Sequence, residues 1–279
     1  MSERERTPDI DLIEDYFDAH AQNWLTPYET IERPNDVVLL QRRDIALDYL
    51  LDGLPPGGRV LDAGCGAGPL SLELAKHGYR VRGVDISKKL LALAELRLAD
   101  YGIDPEHCVF EHGDLLALDL DPGSFDGIVA LGFLQYQPDE RKALDRFHEL
   151  LRPGGVLVAS GPMKIRLSNA FGLWDLYTAG KRRLARWMGS IGSQQQREVD
   201  LVRSISHNSY SSSRLRSLFQ QSGFTTVELK RHGFVSFGPL GRWIGMKGEL
   251  AMHRGFTGLA RYIPIDRFAN DLVAVAKRA

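Results

Sequence analysis

Short apolar runs and longer amphipathic stretches alternate along the chain from residue 59 to residue 161. The amphipathic stretches repeat their apolar residues at intervals of three and four, as helices do, whereas the short runs are typical of buried strands. The predicted strands are RVLDA (59–63), YRVRGVDI (79–86), CVFEHGD (108–114), FDGIVALG (125–132) and VLVASG (156–161). Strands separated by helices predict βαβ units and a parallel sheet with helices on both faces.

The flanking regions extend this pattern less regularly. Helices are predicted at 10–25, 35–53 and 211–224, and strands at 225–234 and 271–278. Two segments rich in Gly, Ser and Arg do not fit the alternation, and we interpret them as insertions at the far edge of the sheet. The predicted organisation is an N-terminal helical cap (1–53), a core (54–160), an inserted helical lid (161–210) and a C-terminal part of the core (211–279) with a second insertion (236–270).

The sequence VLDAGCGAG, at residues 60–68, places three glycines directly after the first predicted strand. Glycine gives the backbone access to positive φ angles and allows a ligand to approach closely. Pro69 suits the first position of the next helix, whose N-terminus favours an anionic group. A dinucleotide-binding loop requires Gly-x-Gly-x-x-Gly, but Pro69 stands at the place of the third glycine, which argues against that cofactor.

Three carboxylates mark the ends of successive predicted strands. Asp62 precedes the glycine loop by two residues, Asp85 ends the second strand, and Asp114 follows the third. In open parallel sheets, ligands bind at the carboxyl ends of the strands. An acid at the position of Asp85 is able to accept hydrogen bonds from both hydroxyls of a ribose, and Asp114 is placed to meet the amino group of an adenine.

Composition and charge narrow the function classes. The 279 residues are 43% hydrophobic and 25% charged, as in packed globular proteins. The formal net charge is −1, but residues 161–279 hold 19 Lys and Arg against 7 Asp and Glu, whereas residues 1–160 hold 16 against 29. Two cysteines, Cys65 and Cys108, give no disulfide framework. Without an apolar leader or a run of 18 apolar residues, the sequence predicts a cytoplasmic protein that has no membrane span.

Five motifs together resemble those of class I S-adenosylmethionine-dependent methyltransferases. They are VLDAGCGAG, VRGVDIS, HGDLLAL, FDGIVALGFLQY and LRPGGVLVAS, in that family's order and spacing over about residues 55–160. The resemblance implies a Rossmann-like, doubly wound, seven-stranded sheet whose last strand is antiparallel. It also implies S-adenosylmethionine as cofactor and methyl transfer, with oxygen of a small-molecule or lipid-like acceptor as the expected target. A non-catalytic cofactor-binding protein on the same fold and an RNA methyltransferase are the alternatives.

The binding residues of that family correspond to particular positions here. The resemblance implies contacts from Gly64, Cys65, Gly66 and Gly68 to the methionine part of the cofactor, from Asp85 to the ribose, from Ile86, Asp114 and Leu115 to the adenine, and from Leu131 to Phe133 near the sulfonium. Asp62, just before the loop, is a further candidate for cofactor binding.

The chain departs from the family after the fourth strand, where many relatives carry Glu-x-Leu-x-His-x-x-Asp. Here the sequence is GFLQYQPD, and Tyr136 stands at the position of the histidine. Tyr136 is a candidate to hydrogen-bond the acceptor or to form a pocket wall. His20 is a candidate base from the N-terminal helix, and both are our predicted catalytic residues.

The N-terminal helix resembles the opening helix of ubiquinone-type methyltransferases, in which an aromatic residue and an arginine close over the cofactor. The corresponding residues here are Tyr16 and Trp24, with either Arg42 or Arg43. No metal site is predicted, because neither a CxxC nor an HExxH motif accompanies the histidines and cysteine of residues 107–112.

The composition of the basic C-terminal half indicates which kind of acceptor to expect. Residues 174–192 place apolar side chains at helical spacing among basic ones, which suits either a lid or a helix lying on the inner face of an anionic membrane. Residues 231–256 mix aromatic with basic side chains, as expected of a pocket for a bulky, partly apolar acceptor that carries negative charge. Nucleic acid is a weaker expectation, because the N-terminal half is acidic and no RNA-binding module is recognisable.

Overall fold

Seven strands form one sheet in the computed structural model, which describes residues 8–166, 205, 208–235 and 239–279. The strands are β1 (Arg59–Ala63), β2 (Arg80–Asp85), β3 (Cys108–His112), β4 (Phe125–Leu131), β5 (Leu151–Pro162), β6 (Phe224–His232) and β7 (Asp271–Arg278). Their order across the sheet is β3-β2-β1-β4-β5-β7-β6. Neighbouring strands run parallel from β3 to β5, and β7 is antiparallel to both β5 and β6. The predicted Rossmann-like fold with an antiparallel last strand is therefore confirmed.

Helices cover both faces of this sheet. They are α1 (Pro8–Ala19), α2 (Ala21–Leu25), α3 (Pro34–Gly53), α4 (Pro69–Lys76), α5 (Lys88–Asp100), α6 (Glu140–Leu150), α7 (Ser212–Gln221) and α8 (Pro239–Leu259). The helix predicted at 10–25 is interrupted at His20, between α1 and α2. Over its described residues, the second predicted insertion consists largely of α8, which is broken at Gly245.

Alternation along the central strands divides the core into two layers. Ile128 and Leu157 face one side of the sheet, where they join Leu144 and Phe147 of α6 in one apolar cluster. Their neighbours in sequence, such as Val129, face the other side and pack with residues of α3 and α4. This arrangement follows from the two-residue period of a strand, since successive side chains point to opposite faces.

Side-chain caps fix the starts of several helices. The Ser87 hydroxyl accepts a hydrogen bond from the Leu90 N–H at 3.2 Å, and the Ser211 hydroxyl accepts one from the Arg214 N–H at 3.2 Å. The Asp139 carboxylate likewise accepts from the Lys142 N–H at 3.1 Å. Such caps satisfy N–H groups that have no partner within the helix. They place the start of α5 directly after the carboxyl end of β2.

The lid predicted at 161–210 falls largely outside the described residues, and the basic helix predicted at 174–192 lies wholly outside them. Whether that helix is a lid or a membrane-surface helix therefore stays a prediction. Among the helices of the described ranges, none combines the length and apolar character needed to cross a bilayer.

Candidate active site

A cavity of about 1860 Å³ opens at the carboxyl edge of the sheet. It lies over the carboxyl ends of the neighbouring strands β1 and β4, where the strand order reverses and where open α/β sheets bind their ligands. Pockets for a single small ligand are commonly about 300–1,000 Å³. The volume is therefore sufficient for two molecules bound side by side.

The glycine loop forms one wall of this cavity. Gly64, Gly66 and Gly68 all have positive φ angles, of 70°, 55° and 70°. The N–H groups of Gly64 and Cys65 donate to the Val84 carbonyl at 2.8 and 3.2 Å, which fastens the loop to the end of β2. Gly64, Cys65 and Gly66 line the cavity, in agreement with the sequence-based expectation.

Gly68 has a different environment from the other loop glycines. It is absent from the described cavity lining and forms the N-terminal boundary of α4. A Cβ atom at this position would lie 2.7 Å from the Phe110 ring and 3.3 Å from Ala94 Cβ. The glycine is therefore required for close packing of helix and strand, and the expected contact with the cofactor is not supported by the cavity lining.

Asp85 lies where the glycine loop meets β2, and both of its carboxylate oxygens are fixed. Oδ2 accepts a hydrogen bond from the Gly66 N–H and Oδ1 accepts one from the Ser87 N–H, each at 2.8 Å. A carboxylate has about four acceptor sites, so each oxygen retains capacity for a further donor. Burial raises the pKa of Asp85, while backbone N–H donors and His112 act in the opposite direction. The carboxylate is thus pre-positioned to accept hydrogen bonds from the hydroxyl groups of a diol such as a ribose.

Asp62 also lines the cavity, but one of its oxygens is already engaged. The Ser71 hydroxyl donates to Oδ2 at 2.6 Å, which ties β1 to α4 beneath the loop. Burial, with a smaller contribution from the nearby Asp85, raises the pKa of Asp62 to about 6 against the lowering effect of the Ser71 hydrogen bond. Asp62 is therefore placed to stabilise the glycine loop, which lies between β1 and α4.

The remaining residues of the predicted cofactor set also border the cavity. These are Ile86, Asp114, Leu115, Leu131 and Phe133. The Asp114 carboxylate accepts a hydrogen bond from the Leu116 N–H at 3.0 Å, which fixes its orientation after β3. Cys65 is buried, and burial raises the pKa of its thiol well above the ordinary value, so the thiol is neutral.

The N-terminal helix α1 is fastened to the segment that carries Asp85. The Asp18 carboxylate accepts a hydrogen bond from the Ser87 hydroxyl at 2.6 Å and another from the Lys89 N–H at 3.1 Å. Glu14 lies 3.6 Å from Lys88 and 3.5 Å from His112. Phe17 of α1 and Trp24 of α2 line the cavity beside this segment.

The two predicted catalytic residues, Tyr136 and His20, have different environments. The ring of His20 lies 4.6 Å from that of Tyr16, its Nδ1 is 2.8 Å from the Tyr16 carbonyl, and it is absent from the described cavity lining. Tyr136 does line the cavity, with its ring edge-on to Phe17 at 5.2 Å. Burial raises the pKa of Tyr136 to about 12, so its hydroxyl stays protonated and is suited to donate a hydrogen bond or to form a wall.

Charged side chains also converge at the other end of the cavity. Arg42 of α3 lies 3.7 Å from Asp271, and both side chains are buried. A Cβ atom at Gly132 would be 3.0 Å from Arg42 Nη1, so the guanidinium lies against the backbone just after β4. Arg166, after β5, also lines the cavity and interacts electrostatically with Asp271. We name Arg42, Arg166 and Asp271 the arginine cluster.

His232 borders this cluster but adds no charge to it. Its Nε2 lies 3.9 Å from Asp271 Oδ2, at the paired ends of β6 and β7. Burial lowers the pKa of His232 to about 4, against the opposing effect of Asp271 and with help from Arg42 and His253. The imidazole is therefore neutral over the physiological range.

The structure distinguishes between the two arginines that the sequence left open. Both arginines line the cavity, and Arg43 donates to its neighbour Asp44 from Nε and Nη2, at 2.9 and 2.7 Å. Arg42 is the more buried of the two, with 11% of its side chain exposed against 22% for Arg43, and it faces Asp271.

The predicted acceptor pocket in residues 231–256 is not supported. None of the described residues of that segment lines the cavity, and Trp243 has 85% of its surface exposed. Instead, His253 is buried in the protein, where its ring lies 2.9 Å from the side chain of Gln41. No group of three or more potential metal ligands occurs within the ranges that the structure covers.

Comparison with known proteins agrees with this geometry. The family described as "Methyltransferase domain" matches residues 60–155, which carry the glycine loop, Asp85, Asp114 and Tyr136. Residues 60–155 are a methyltransferase domain. The arginine cluster lies outside this methyltransferase domain in sequence, because it is contributed by α3 and by residues after β5.

Curated relatives resemble this chain over part of its length. A ubiquinone biosynthesis O-methyltransferase of Xylella fastidiosa (strain 9a5c) is 35% identical over 147 residues, which are 52% of this chain and 57% of the relative. The protein of the same name from Xanthomonas campestris pv. campestris (strain B100) is 35% identical over 117 residues, or 42% of this chain and 48% of the relative. The matched region thus spans about half the length of these relatives.

Solved structures share the fold at greater distance. Magnesium protoporphyrin IX methyltransferase from Synechocystis PCC 6803, solved with bound SAH, superposes with a TM-score of 0.63 at 19% identity, covering 96% of this chain and 99% of that one. Phosphoethanolamine N-methyltransferase 2 of Haemonchus contortus superposes with a TM-score of 0.62 at 16% identity, covering 98% of this chain and 60% of that one. At these identities the likeness shows that the methyltransferase domain and its surroundings have the same fold.

Proposed function

We propose that this protein binds S-adenosylmethionine in the cavity and methylates an oxygen of a small-molecule or lipid-like acceptor. The observation that carries the proposal is the geometry of Asp85. Its two oxygens are held by the Gly66 and Ser87 N–H groups and retain acceptor capacity, and Asp85 lines a cavity that apolar residues also border. Oxygen is proposed as the methylated atom because the relatives that match half of the chain are named as O-methyltransferases.

The residues present fit this cofactor. Asp85 would hold the ribose, Ile86 and Leu115 would flank the adenine, and Asp114 would accept from the adenine amino group. The positive φ angles at Gly64 and Gly66 leave the loop without side chains where the methionine part would pass. When bound, the cofactor supplies an electrophilic methyl group on a sulfonium centre.

The chain's own contribution is positioning and exclusion of water. Phe17 and Trp24 cover the cofactor end, and the α1 contacts to Ser87 hold that cover in place. Holding two reactants in the correct geometry is able to lower a barrier by about 7–11 kcal/mol. Since Tyr136 stays protonated and His20 lies outside the described lining, the described residues offer positioning and hydrogen bonding rather than a strong base.

Isothermal titration with S-adenosylmethionine tests the proposal. We expect wild-type protein to bind, and Asp85→Ala to bind about 100-fold more weakly or worse, because hydrogen bonds to a charged group contribute about 1.5–3 kcal/mol each. Asp145→Ala is the matched control, because Asp145 pairs with Arg141 on the exposed face of α6. A folded wild-type protein that does not bind would contradict the proposal.

A second measurement separates an enzyme from a non-catalytic binder. Protein with radiolabelled S-adenosylmethionine is incubated with fractionated small-molecule and lipid extracts, and labelled products are counted. Label in an organic fraction, absent with Asp85→Ala, supports methyl transfer. Binding by titration without label in any fraction would favour a cofactor-binding protein, and label in an RNA fraction alone would contradict the proposed acceptor class.

A further inference from the structure

Strands β6 and β7 are joined by a much longer segment than their pairing requires. His232 and Asp271 lie opposite each other at the paired ends of these strands, so a two-residue turn would be enough to connect them. Residues 233–270 lie between them instead, and their described part contains α8 and a 3₁₀ helix, Pro264–Phe268. Connecting segments on a rigid scaffold often carry function. The insertion is therefore an addition to the sheet rather than a connection that the sheet requires.

One face of α8 is packed against the rest of the protein. The buried ring of His253 lies 2.9 Å from the side chain of Gln41 in α3, and its Nδ1 accepts a hydrogen bond from the Phe234 N–H at 3.1 Å. Glu249, four residues earlier, is also buried. Helix positions four residues apart lie on the same side, so these two residues mark the packed face of α8.

The opposite face of α8 carries basic side chains. Lys247 and Arg254 are both exposed and lie seven residues apart, so they project from the same side of the helix, about 10 Å from each other along its axis. Arg261 follows after a further seven residues, in the turn that ends α8, and Arg267 is exposed as well. These four side chains place several positive charges on one surface segment.

Acidic side chains do not offset these charges. The acids of residues 243–267 are Glu249 and Asp266. Glu249 belongs to the packed face, and Asp266 is half-buried and lies 2.6 Å from Arg231 of β6. Every exposed charged side chain of residues 243–267 is therefore positive, so the segment is complementary to an anionic surface.

Large apolar side chains are exposed in the same segment. Trp243 and Tyr262 each have 85% of their surface exposed, Ile263 has 47% and Leu259 has 41%. Trp and Tyr favour the interface between a membrane and water. Aliphatic side chains gain by contact with acyl chains, whereas the backbone of a nucleic acid offers them no apolar partner. The combination of exposed apolar and basic groups thus favours a lipid surface over a nucleic acid.

We propose that residues 243–267 form a membrane-docking surface, which binds bilayers that contain anionic lipids. The basic side chains would bind headgroups, and Trp243 and Tyr262 would enter the interface. Each Lys or Arg near such a bilayer strengthens binding about fivefold. This inference goes beyond the proposed function and does not require it. Because α8 packs against α3, which lines the cavity, docking would also bring the cavity close to lipid-soluble molecules.

Co-sedimentation of the full-length protein with vesicles tests the membrane-docking surface. Vesicles of phosphatidylcholine and phosphatidylglycerol in equal parts are compared with vesicles of phosphatidylcholine alone, at low ionic strength and without cofactor. We expect binding to the anionic vesicles that weakens as salt is added. Combining Lys247→Gln with Arg254→Gln is expected to weaken it about 25-fold, and Trp243→Ser about tenfold through lost apolar contact.

A matched control removes the same amount of charge elsewhere. Arg141→Gln combined with Arg216→Gln alters exposed positions on α6 and α7, which pack on the opposite face of the sheet from α3. This variant is expected to bind the anionic vesicles as wild type does. Circular dichroism confirms that each variant is folded, which is expected because all the replaced side chains are exposed.

Tryptophan fluorescence gives a second measurement. We expect a blue shift of wild-type emission on adding anionic vesicles, and a smaller shift for Trp243→Phe. An unchanged shift in that variant would contradict insertion of Trp243.

The remaining outcomes would also overturn the membrane-docking surface. They are no vesicle binding, equal binding to both kinds of vesicle, and variants of α8 that bind as the control does. Binding that is lost only when Arg182 and Arg183 are replaced by Gln would assign the membrane contact to residues 174–192 instead. Binding to polyuridylate that depends on Lys247 and Arg254, without vesicle binding, would show a nucleic-acid surface. Because no cofactor is present, failure of the proposed function would leave these results unaffected.

Discussion

The two ends of the cavity are built in different ways. Apart from the cover supplied by Phe17 and Trp24, the cofactor end comes from one part of the chain, between β1 and the turn after β4, and backbone N–H groups fix its central carboxylate. The arginine cluster is assembled from α3, the end of β5 and the start of β7. Asp271 reaches this edge because β7 runs antiparallel, so the first residue of β7 lies opposite Pro162 at the end of β5.

The two ends also differ in charge and in their position along the chain. Acidic residues are concentrated at the cofactor end and arginines at the other, so the two ends favour ligand groups of opposite charge. Asp85 and Asp114 lie within residues 60–155, which match the methyltransferase-domain family, and the arginine cluster lies outside that range.

The largest effect is expected from Gly68→Ala at the cofactor end. The substitution combines a positive φ angle, which costs a non-glycine residue about 1–3 kcal/mol, with overpacking against Phe110, which costs about 1–3 kcal/mol more. Urea denaturation measures the loss. Gly57→Ala is the control, because Gly57 has the same φ angle, 71°, and no atom within 4 Å of a built Cβ. Equal losses for the two variants would show that the close packing at Gly68 is unimportant.

The next largest effects are two opposite pH dependences of stability, one at each end of the cavity. The raised pKa of Asp62, about 6, means that folding takes up a proton there, so stability falls as pH rises from about 4 to 6. The lowered pKa of His232, about 4, means that stability is lost as pH falls from about 6.5 to 4. Across its whole pH range, each group changes the free energy of unfolding by about 3 kcal/mol.

Urea denaturation of Asp62→Asn and His232→Asn at pH 4.5 and 7.5 separates these contributions. Relative to wild type, Asp62→Asn is expected to gain stability at the higher pH, and His232→Asn to gain it at the lower pH. Asp145→Asn and His107→Asn, both at exposed positions, are the matched controls and should show neither trend. The same sign of pH dependence in both variants would contradict the assigned environments.

The smallest effect is expected for Tyr136→Phe, at the boundary between the two ends. A phenol that stays protonated contributes one neutral hydrogen bond, so methyl transfer to the acceptor found by labelling should fall less than about tenfold. His20→Ala should have a still smaller effect, because His20 lies outside the described lining. A general base typically contributes about 10²–10⁴-fold, so a loss in that range for either variant would show proton transfer by that residue.

The cofactor end was predictable from sequence because its determinants are local. The sheet follows from short apolar runs between amphipathic helices, and the loop follows from closely spaced glycines after a strand. Asp85 and Asp114 could be placed because parallel strands bring their carboxyl ends to one edge. Gly68 was only partly anticipated, because the pattern does not distinguish a glycine that faces a ligand from one that packs against Phe110.

The arginine cluster was not predictable in the same way. Arg42 and Arg43 are adjacent on one helix, and only the packing of α3 against the sheet shows that Arg42 is the more buried of the two. Arg166 and Asp271 are distant in sequence and meet through the pairing of β5 with β7. The mixed aromatic and basic composition of residues 231–256 was misleading, because composition does not show whether a side chain faces a cavity or, as Trp243 does, the solvent.

A crystal structure of the protein with S-adenosylhomocysteine tests the division of the cavity most directly. The account predicts ribose hydroxyls within hydrogen-bonding distance of Asp85, and the ligand's own carboxylate toward the arginine cluster. A nucleoside bound at the arginine cluster, or a ribose that does not contact Asp85, would contradict it.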